Sequence, residues 1–135
     1  MSYEELSHTA DVKIRARAPT REGLFEEAFR ALMQVMYGED RIGNVTRTID
    51  LCADDPQSLL CDFLSEVLYV SEVDGLVFRD ARVRLDGTRL HAVLEGEPFD
   101  RARHAMGTEV KGISYSGMSI VQDAKGYMLD ILFDV

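Results

Sequence analysis

The sequence predicts a single α+β domain in which largely antiparallel strands carry two packed helices. Three observations lead there. Alternation marks strands near both ends of the chain, strict at Asp11–Ala18 and, at Tyr127–Val135, setting Tyr127, Leu129, Ile131, Phe133 and Val135 against Met128, Asp130, Leu132 and Asp134. Two stretches with apolar residues at helical spacing are each bracketed by a capping residue and a glycine. An Asp-Gly pair between alternating runs signals a hairpin, and hairpins build antiparallel sheets.

In chain order, Asp11–Ala18 places Val12, Ile14 and Ala16 on one face and Lys13, Arg15 and Arg17 on the other, behind a polar entry segment from Leu6 to Asp11. Pro19 stops this strand. Thr20 caps a helix carrying Glu22 in its first turn, with Leu24, Phe25, Ala28, Leu32, Val35 and Met36 at helical spacing and Gly38 at its end. Phe29, Met33 and Met36 read as core. A second strand runs from Asn44 to Ala53 through Val45, Arg47, Ile49 and Leu51. Asp55 followed by Pro56 opens a second helix, since proline is tolerated at the first helical position. Leu59, Leu60, Phe63, Leu64, Val67 and Leu68 form its wide apolar stripe, and Asp74-Gly75 ends it. Leu76–Leu85, a type I′ turn at Asp86-Gly87 and Thr88–Leu94 form the hairpin. Two further strands, from Ile113 through Val121 and from Tyr127 to Val135, are joined across Asp123–Gly126.

Between them lies the only long segment without helical or strand periodicity, Glu97 to Tyr115, where Glu97, Asp100, Arg101, Arg103, His104, Glu109 and Lys111 crowd together. A connection this long inside a compact domain is functional or disordered. Pro98, Phe99, Val110, Ile113 and Tyr115 give it apolar surface that a solvated linker lacks, so it reads as an ordered loop with one helical turn opened by Asp100.

Composition narrows the function. The 135 residues suit one domain, spanning 1–135, that buries roughly two thirds of its unfolded surface. No run approaches the ~20 apolar residues that span a bilayer, and the first residues lack the regions of a signal peptide. The expectation is a cytoplasmic protein without a membrane partner. Cys52 and Cys61 form no Cys-x-x-Cys pair and read as small, reduced, buried hydrophobes. A net charge of −9 and a pI near 4.7 repel a phosphate backbone, so stable direct binding of nucleic acid is not expected.

Among candidate chemical groups, Asp11 opens a strand and Asp134 closes one, and each is by default a solvated turn residue. Brought together with the carboxylate or carbonyl of Val135, they would form a hard oxygen site suited to calcium, magnesium or manganese rather than zinc. His8 and His104 lack a paired nucleophile and read as orienting or surface groups. Lys111 stands near Glu109, where a surface ion pair is the plain reading. Ser7, Thr9 and Ser114 belong to no Gly-x-Ser-x-Gly elbow, and the glycines form no phosphate cradle. A stand-alone metal-dependent hydrolase built on Asp11, Asp134 and His104 would lack any water-activating motif beyond two carboxylates.

At these residues the chain resembles the archease family, small proteins that assist the RtcB-type RNA ligase of tRNA splicing. The resemblance runs through His8-Thr9-Ala10-Asp11, the first helix, Leu60–Tyr69 with its Leu-x-Glu-x-Leu-Tyr pattern, Gly96-Glu-Pro-Phe-Asp, Gly107-Thr-Glu-Val-Lys-Gly-Ile-Ser-Tyr and Phe133-Asp134-Val135. Ser116-Gly117 replaces the usual His-Asp or His-Asn, and Gly112 stands where alanine is common. The resemblance implies two connected strand-helix-strand-strand units. It implies that Asp11, Asp134 and Val135 bind a divalent metal, calcium being the ion associated with the family, and that Lys111 acts beside them with His8 and His104 in support. It further implies a non-catalytic accessory factor that promotes guanylylation and multiple turnover of the ligase and broadens its nucleotide use. The rival expectation is a chaperone or specificity modulator of another RNA-modifying enzyme, such as a tRNA methyltransferase.

Overall fold

The computed structural model describes residues 1–6 and 11–135, so His8 and most of the polar entry segment lie outside the described residues. The chain runs β1 (Ser2–Leu6), β2 (Asp11–Ala18), α1 (Arg21–Tyr37), β3 (Val45–Cys52), α2 (Pro56–Asp74), β4 (Leu76–Asp86), β5 (Arg89–Pro98), α3 (Arg101–His104), β6 (Gly112–Asp123) and β7 (Gly126–Asp134). The strands form two antiparallel sheets, ordered β1-β2-β7-β6 and β3-β5-β4. The expected strand-helix-strand-strand units are both present, but nested: β3-α2-β4-β5 is inserted between α1 and β6 of the unit β2-α1-β6-β7.

Local chemistry sets the helices where the sequence places them. The Thr20 side chain accepts the Gly23 N–H at 3.0 Å and the Asp55 carboxylate accepts the Ser58 N–H at 2.8 Å, each satisfying an amide the helix leaves open. Gly75 ends α2 in the left-handed conformation. Helices α1 and α2 each touch both sheets. Phe25 and Phe29 of α1, Phe63 of α2 and Phe78 of β4 stack at centroid distances of 6.2 to 6.5 Å, tying the layers into one core. The α1 helix also guards the outer edge of β4. Glu26 accepts the Val83 N–H at 2.9 Å, and Arg30 reaches Glu27 and Asp80.

Four expectations need correction. Residues Ser2–Leu6, not recognised as a strand, pair antiparallel with β2; five residues carry too little alternation to be read. The hairpin turn lies one residue later than predicted, because Asp86 pairs with Arg89 and leaves Gly87-Thr88 as the loop. Gly87 has φ 60° and no non-glycine residue among those described has positive φ, which fits a type II′ turn and not type I′. Strand β5 continues to Pro98, four residues beyond the predicted end. Cys52 is exposed and Cys61 half-buried, so neither is the fully buried hydrophobe expected.

The long loop is ordered by a buried carboxylate. Glu97, 3% exposed, accepts the Ile42 N–H at 2.7 Å, the Arg103 guanidinium through both oxygens, and lies 3.3 Å from His104 Nε2. This clasps the entry to the nested unit, after α1, to its exit, after β5. The Arg103 guanidinium, outweighing the burial that opposes it, holds the Glu97 carboxyl below its usual value. Beyond α3, the loop closes over the end of α1, with the Thr108 N–H donating to the Val35 carbonyl at 2.8 Å. Contact is so close that a Cβ on Gly107 would stand 1.9 Å from the Met36 carbonyl oxygen.

Gly107→Ala should therefore lower stability by roughly 3 kcal/mol in urea unfolding, through overpacking against backbone. Gly112→Ala, whose Cβ would meet only Asp134 Oδ2 at 3.6 Å, should shift it by less than about 0.5 kcal/mol. Glu97→Gln should lower the melting temperature by about 5 °C at neutral pH. Because the folded carboxyl titrates below its usual value, its contribution is complete above the ordinary carboxylate range and is lost as pH falls through the lowered one. The gap between wild type and Glu97→Gln should close on acidification, as read by thermal melts across pH.

Candidate functional site

Strand β7 occupies the interior of its sheet, between β2 and β6, and its register decides what meets at its end. Asp11 of β2 lies directly opposite Asp134 of β7, although 123 positions separate them (134 − 11). Residues opposite one another in an antiparallel pair point to the same face, so the two carboxylates share one side of the sheet. On the other flank of β7, Gly112 of β6 also lies opposite Asp134. The Lys111 N–H donates to the Asp134 carbonyl at 2.7 Å, which fixes the Lys111 backbone beside the pair while the residue is exposed. Val135 follows directly and is 39% exposed.

As a cation site this donor set is partial. Two carboxylates on one face, with oxygens of Val135 adjacent in sequence, are hard donors suited to calcium or magnesium. Among the described residues no group of three His, Cys, Asp or Glu side chains is arranged around an ion. The residues present fit a weakly held hard cation completed by water or by a partner, and not a closed structural cage.

Next along the same face stand Lys13 and then Arg15, which pairs through two bonds, at 2.8 and 3.1 Å, with Asp130 on β7. The sequence put Asp130 on the face of Asp134, but only the register supplies Arg15 as its partner. That hydrogen-bonded guanidinium holds the Asp130 carboxyl below its usual value, and the carboxylate in turn raises the Arg15 guanidinium above its own. Asp130 is thereby committed to the sheet.

His104 is placed elsewhere in the architecture, in the clasp. Its side chain is wholly buried, Nδ1 accepts the Asp100 N–H at 2.9 Å, and Nε2 faces the Asp40 carbonyl at 3.0 Å. An accepting Nδ1 leaves the proton on Nε2. With both nitrogens engaged and the ring packed against Tyr37 and Phe99, which also touch each other, His104 orders the loop. Glu97 is the residue whose role the sequence concealed: in a charged segment nothing distinguishes a buried carboxylate from solvated ones.

The two family departures are accommodated. Gly117 has φ 79°, within an irregular stretch of β6 between Ser114 and Ser119, a conformation that glycine adopts freely and Asn or Asp tolerates best. At Gly112 an added methyl would only reach van der Waals contact with Asp134. No helix among the described residues is long and apolar enough to cross a membrane.

Comparison with known proteins agrees with this architecture. The sequence pattern of the Archease protein family matches residues 3–135. Protein archease of Methanosarcina barkeri is 38% identical, covering 98% of this chain and 95% of its own. That of Methanopyrus kandleri is 32% identical over the whole of both chains, and an archease-like protein of Drosophila melanogaster is 34% identical over 100% of this chain and 91% of its own. The solution structure of a Methanobacterium thermoautotrophicum protein superimposes with a TM-score of 0.79 at 21% identity, covering 98% of each chain. The crystal structure of an archease from Thermotoga maritima, described as a possible chaperone, gives 0.67 at 16% identity over 98% and 96%. At such identities the two structures speak to the fold alone. With the family pattern covering nearly all of it and curated relatives matching end to end, the chain belongs to the archease family.

Proposed function

We propose that this protein is a non-catalytic accessory factor of an RtcB-type RNA ligase in tRNA splicing and RNA repair, promoting guanylylation and repeated turnover of the ligase and broadening its nucleotide use. The observation that carries the reading is the β2–β7 register, which sets Asp11 opposite Asp134 with Lys111 hydrogen-bonded to the same residue. Family membership and the absence of a nucleophile motif both support it.

The chain's own groups have distinct tasks in this reading. Asp11 and Asp134 offer carboxylate oxygens from adjacent strands, and Val135 offers further oxygen at the chain end. A divalent cation bound there, calcium by the family's association, would supply charge neutralisation at an anionic transfer site. Because the protein oxygens are few, such an ion is held modestly and exchanges quickly, which suits placing or exchanging an ion during docking better than permanent structure. Lys111, held by its backbone and exposed through its side chain, is free to meet an anionic group of the ligase complex. The net charge of −9 favours encounter with a basic RNA-binding enzyme.

The second reading is a chaperone or specificity modulator of another RNA-modifying enzyme, such as a tRNA methyltransferase. Affinity capture with mass spectrometry separates the two. A ligase as the dominant bound enzyme supports the first reading, and a methyltransferase the second.

The direct test is multiple-turnover RNA ligation by the cognate ligase with and without this protein. Addition should convert a single-turnover ligase into one that continues with GTP. Asp134→Ala should reduce ligase guanylylation at least about tenfold while lowering stability by no more than ~1 kcal/mol, because the backbone bond from Lys111 survives the substitution. Lys111→Ala should leave the melting temperature nearly unchanged and remove the stimulation. Loss of fold in step with loss of stimulation would assign these residues to structure instead.

A further inference from the structure

We propose that the solvent face of α2 is a docking surface for a basic protein face that carries an apolar recess. Asp62, Glu66, Tyr69 and Val73 recur at i, i+4, i+7 and i+11, which is one stripe of a helix, with Glu72 beside it. This stripe lies opposite the buried one of Leu60, Phe63, Leu64 and Val67. Tyr69 and Val73 are 61% and 62% exposed, an unburied apolar pair set among acids. From Asp54 to Asp74 the chain has six acidic residues and no Lys, Arg or His, so this segment alone carries −6 of the net −9. Asp55 is used as the helix cap and Asp74 meets Arg47 at 3.4 Å. Among the described residues Asp62, Glu66 and Glu72 have no ion-pair partner.

The physics of the helix itself opposes this arrangement. Asp62 and Glu66 are like charges one turn apart, which destabilises a helix. Glu72 and Asp74 stand near its carboxyl end, where the helix dipole repels anions, and the last turn holds no basic residue. A lysine at position 62, 66 or 72 would suit α2 better than the acid present. Charges that work against their own element, joined to an exposed aromatic ring, mark a surface kept for contact.

Charge selects the occupant. Uniform acidity repels a phosphate backbone, an anionic lipid surface and a second copy of the chain, since a symmetric pair would set acid against acid. A protein face rimmed by Lys and Arg remains, with a pocket for the Tyr69 ring, tyrosine being a frequent interface anchor. The stripe also begins beside the candidate site. Cys61 Sγ lies 3.8 Å from the Ile113 carbonyl, and Gly112, the preceding residue of β6, is opposite Asp134. A partner seated over Asp11 and Asp134 therefore reaches α2 by passing round the β6 edge. The inference rests on the accessory reading and names the surface by which the basic ligase is held.

The experiment is biosensor kinetics of the intact protein on the immobilised cognate ligase, at low and high salt. The combined Asp62→Lys, Glu66→Lys, Glu72→Lys variant should associate at least about tenfold more slowly at low salt, with the difference narrowing as salt screens the charges. Tyr69→Ala should dissociate about tenfold faster with little change in association. Glu72→Lys alone should raise the melting temperature by about 1–3 °C while weakening binding, a pairing of effects that loss of fold does not produce. Glu95→Lys, an equal change of charge on the outer face of the β3-β5-β4 sheet, should bind as wild type. A folded triple variant that associates as fast as wild type, a Tyr69→Ala that dissociates no faster, or a Glu95→Lys that slows association as much as Glu72→Lys overturns the docking surface, while stimulation by wild type upholds the accessory role. Wild-type protein that neither binds nor stimulates the ligase overturns both.

Discussion

Pairing of β2 with β7 is the constraint on which the rest of the structure depends. Eight consecutive residue pairs, from Asp11–Asp134 to Ala18–Tyr127, join the first full strand to the last. Strands β1 and β6 only extend this ladder outward, and α1 packs on it. Closing so long a loop is thermodynamically mild, since each doubling of loop length adds only about 0.6 kcal/mol. Its larger cost is kinetic, because pairing this distant in sequence is slow to be found. A one-residue slip would also send Asp134 to the opposite face from Asp11, so the buried alternation of Ile14 and Ala16 against Ile131 and Leu129 protects the site as well as the core.

What could be read from the sequence follows the range of the interactions involved. Helices α1 and α2 were legible nearly to the residue because their determinants, Thr20, Gly38, Asp55, Pro56 and Gly75, act within one turn. Strands β2 and β7 were legible because alternate residues of each form a continuous, largely buried apolar face. The turn at Gly87-Thr88 was misplaced by one because Asp-Gly and Gly-Thr serve different turn types with the same glycine, and cross-strand pairing chooses between them. Nesting of one unit within the other, the meeting of Asp11 with Asp134 and the burial of Glu97 all depend on contacts between distant segments. No local pattern records them, and that the two carboxylates act together was implied only by resemblance to a family.

The two sheets turn chemically different surfaces outward. On the β1-β2-β7-β6 sheet, cross-strand ion pairs tie up Arg15, Arg17, Asp130 and Glu4, and Asp11 meets Asp134 at one end. On the β3-β5-β4 sheet Arg47 pairs with Asp74 and His91 engages Asp50, while Arg82, Arg84 and Arg89 are exposed.

The nested unit has the outline of a cassette. Its entry and exit run side by side, with Val45 opposite Gly96, the Asn44 N–H on the Gly96 carbonyl and the Ile42 N–H on Glu97, so a short bridge could span the gap if the unit were cut out. Its interior tells otherwise. Phe63 of the cassette fills the space against Phe25 and Phe29 of the host helix, and Phe78 closes on Phe29 from the far side. Excision would bare the inner face of α1 and deprive the outer unit of half its core. The polypeptide's route therefore permits modular exchange while its packing forbids it, and the two units are bound to change together, one large side chain answering another across the boundary.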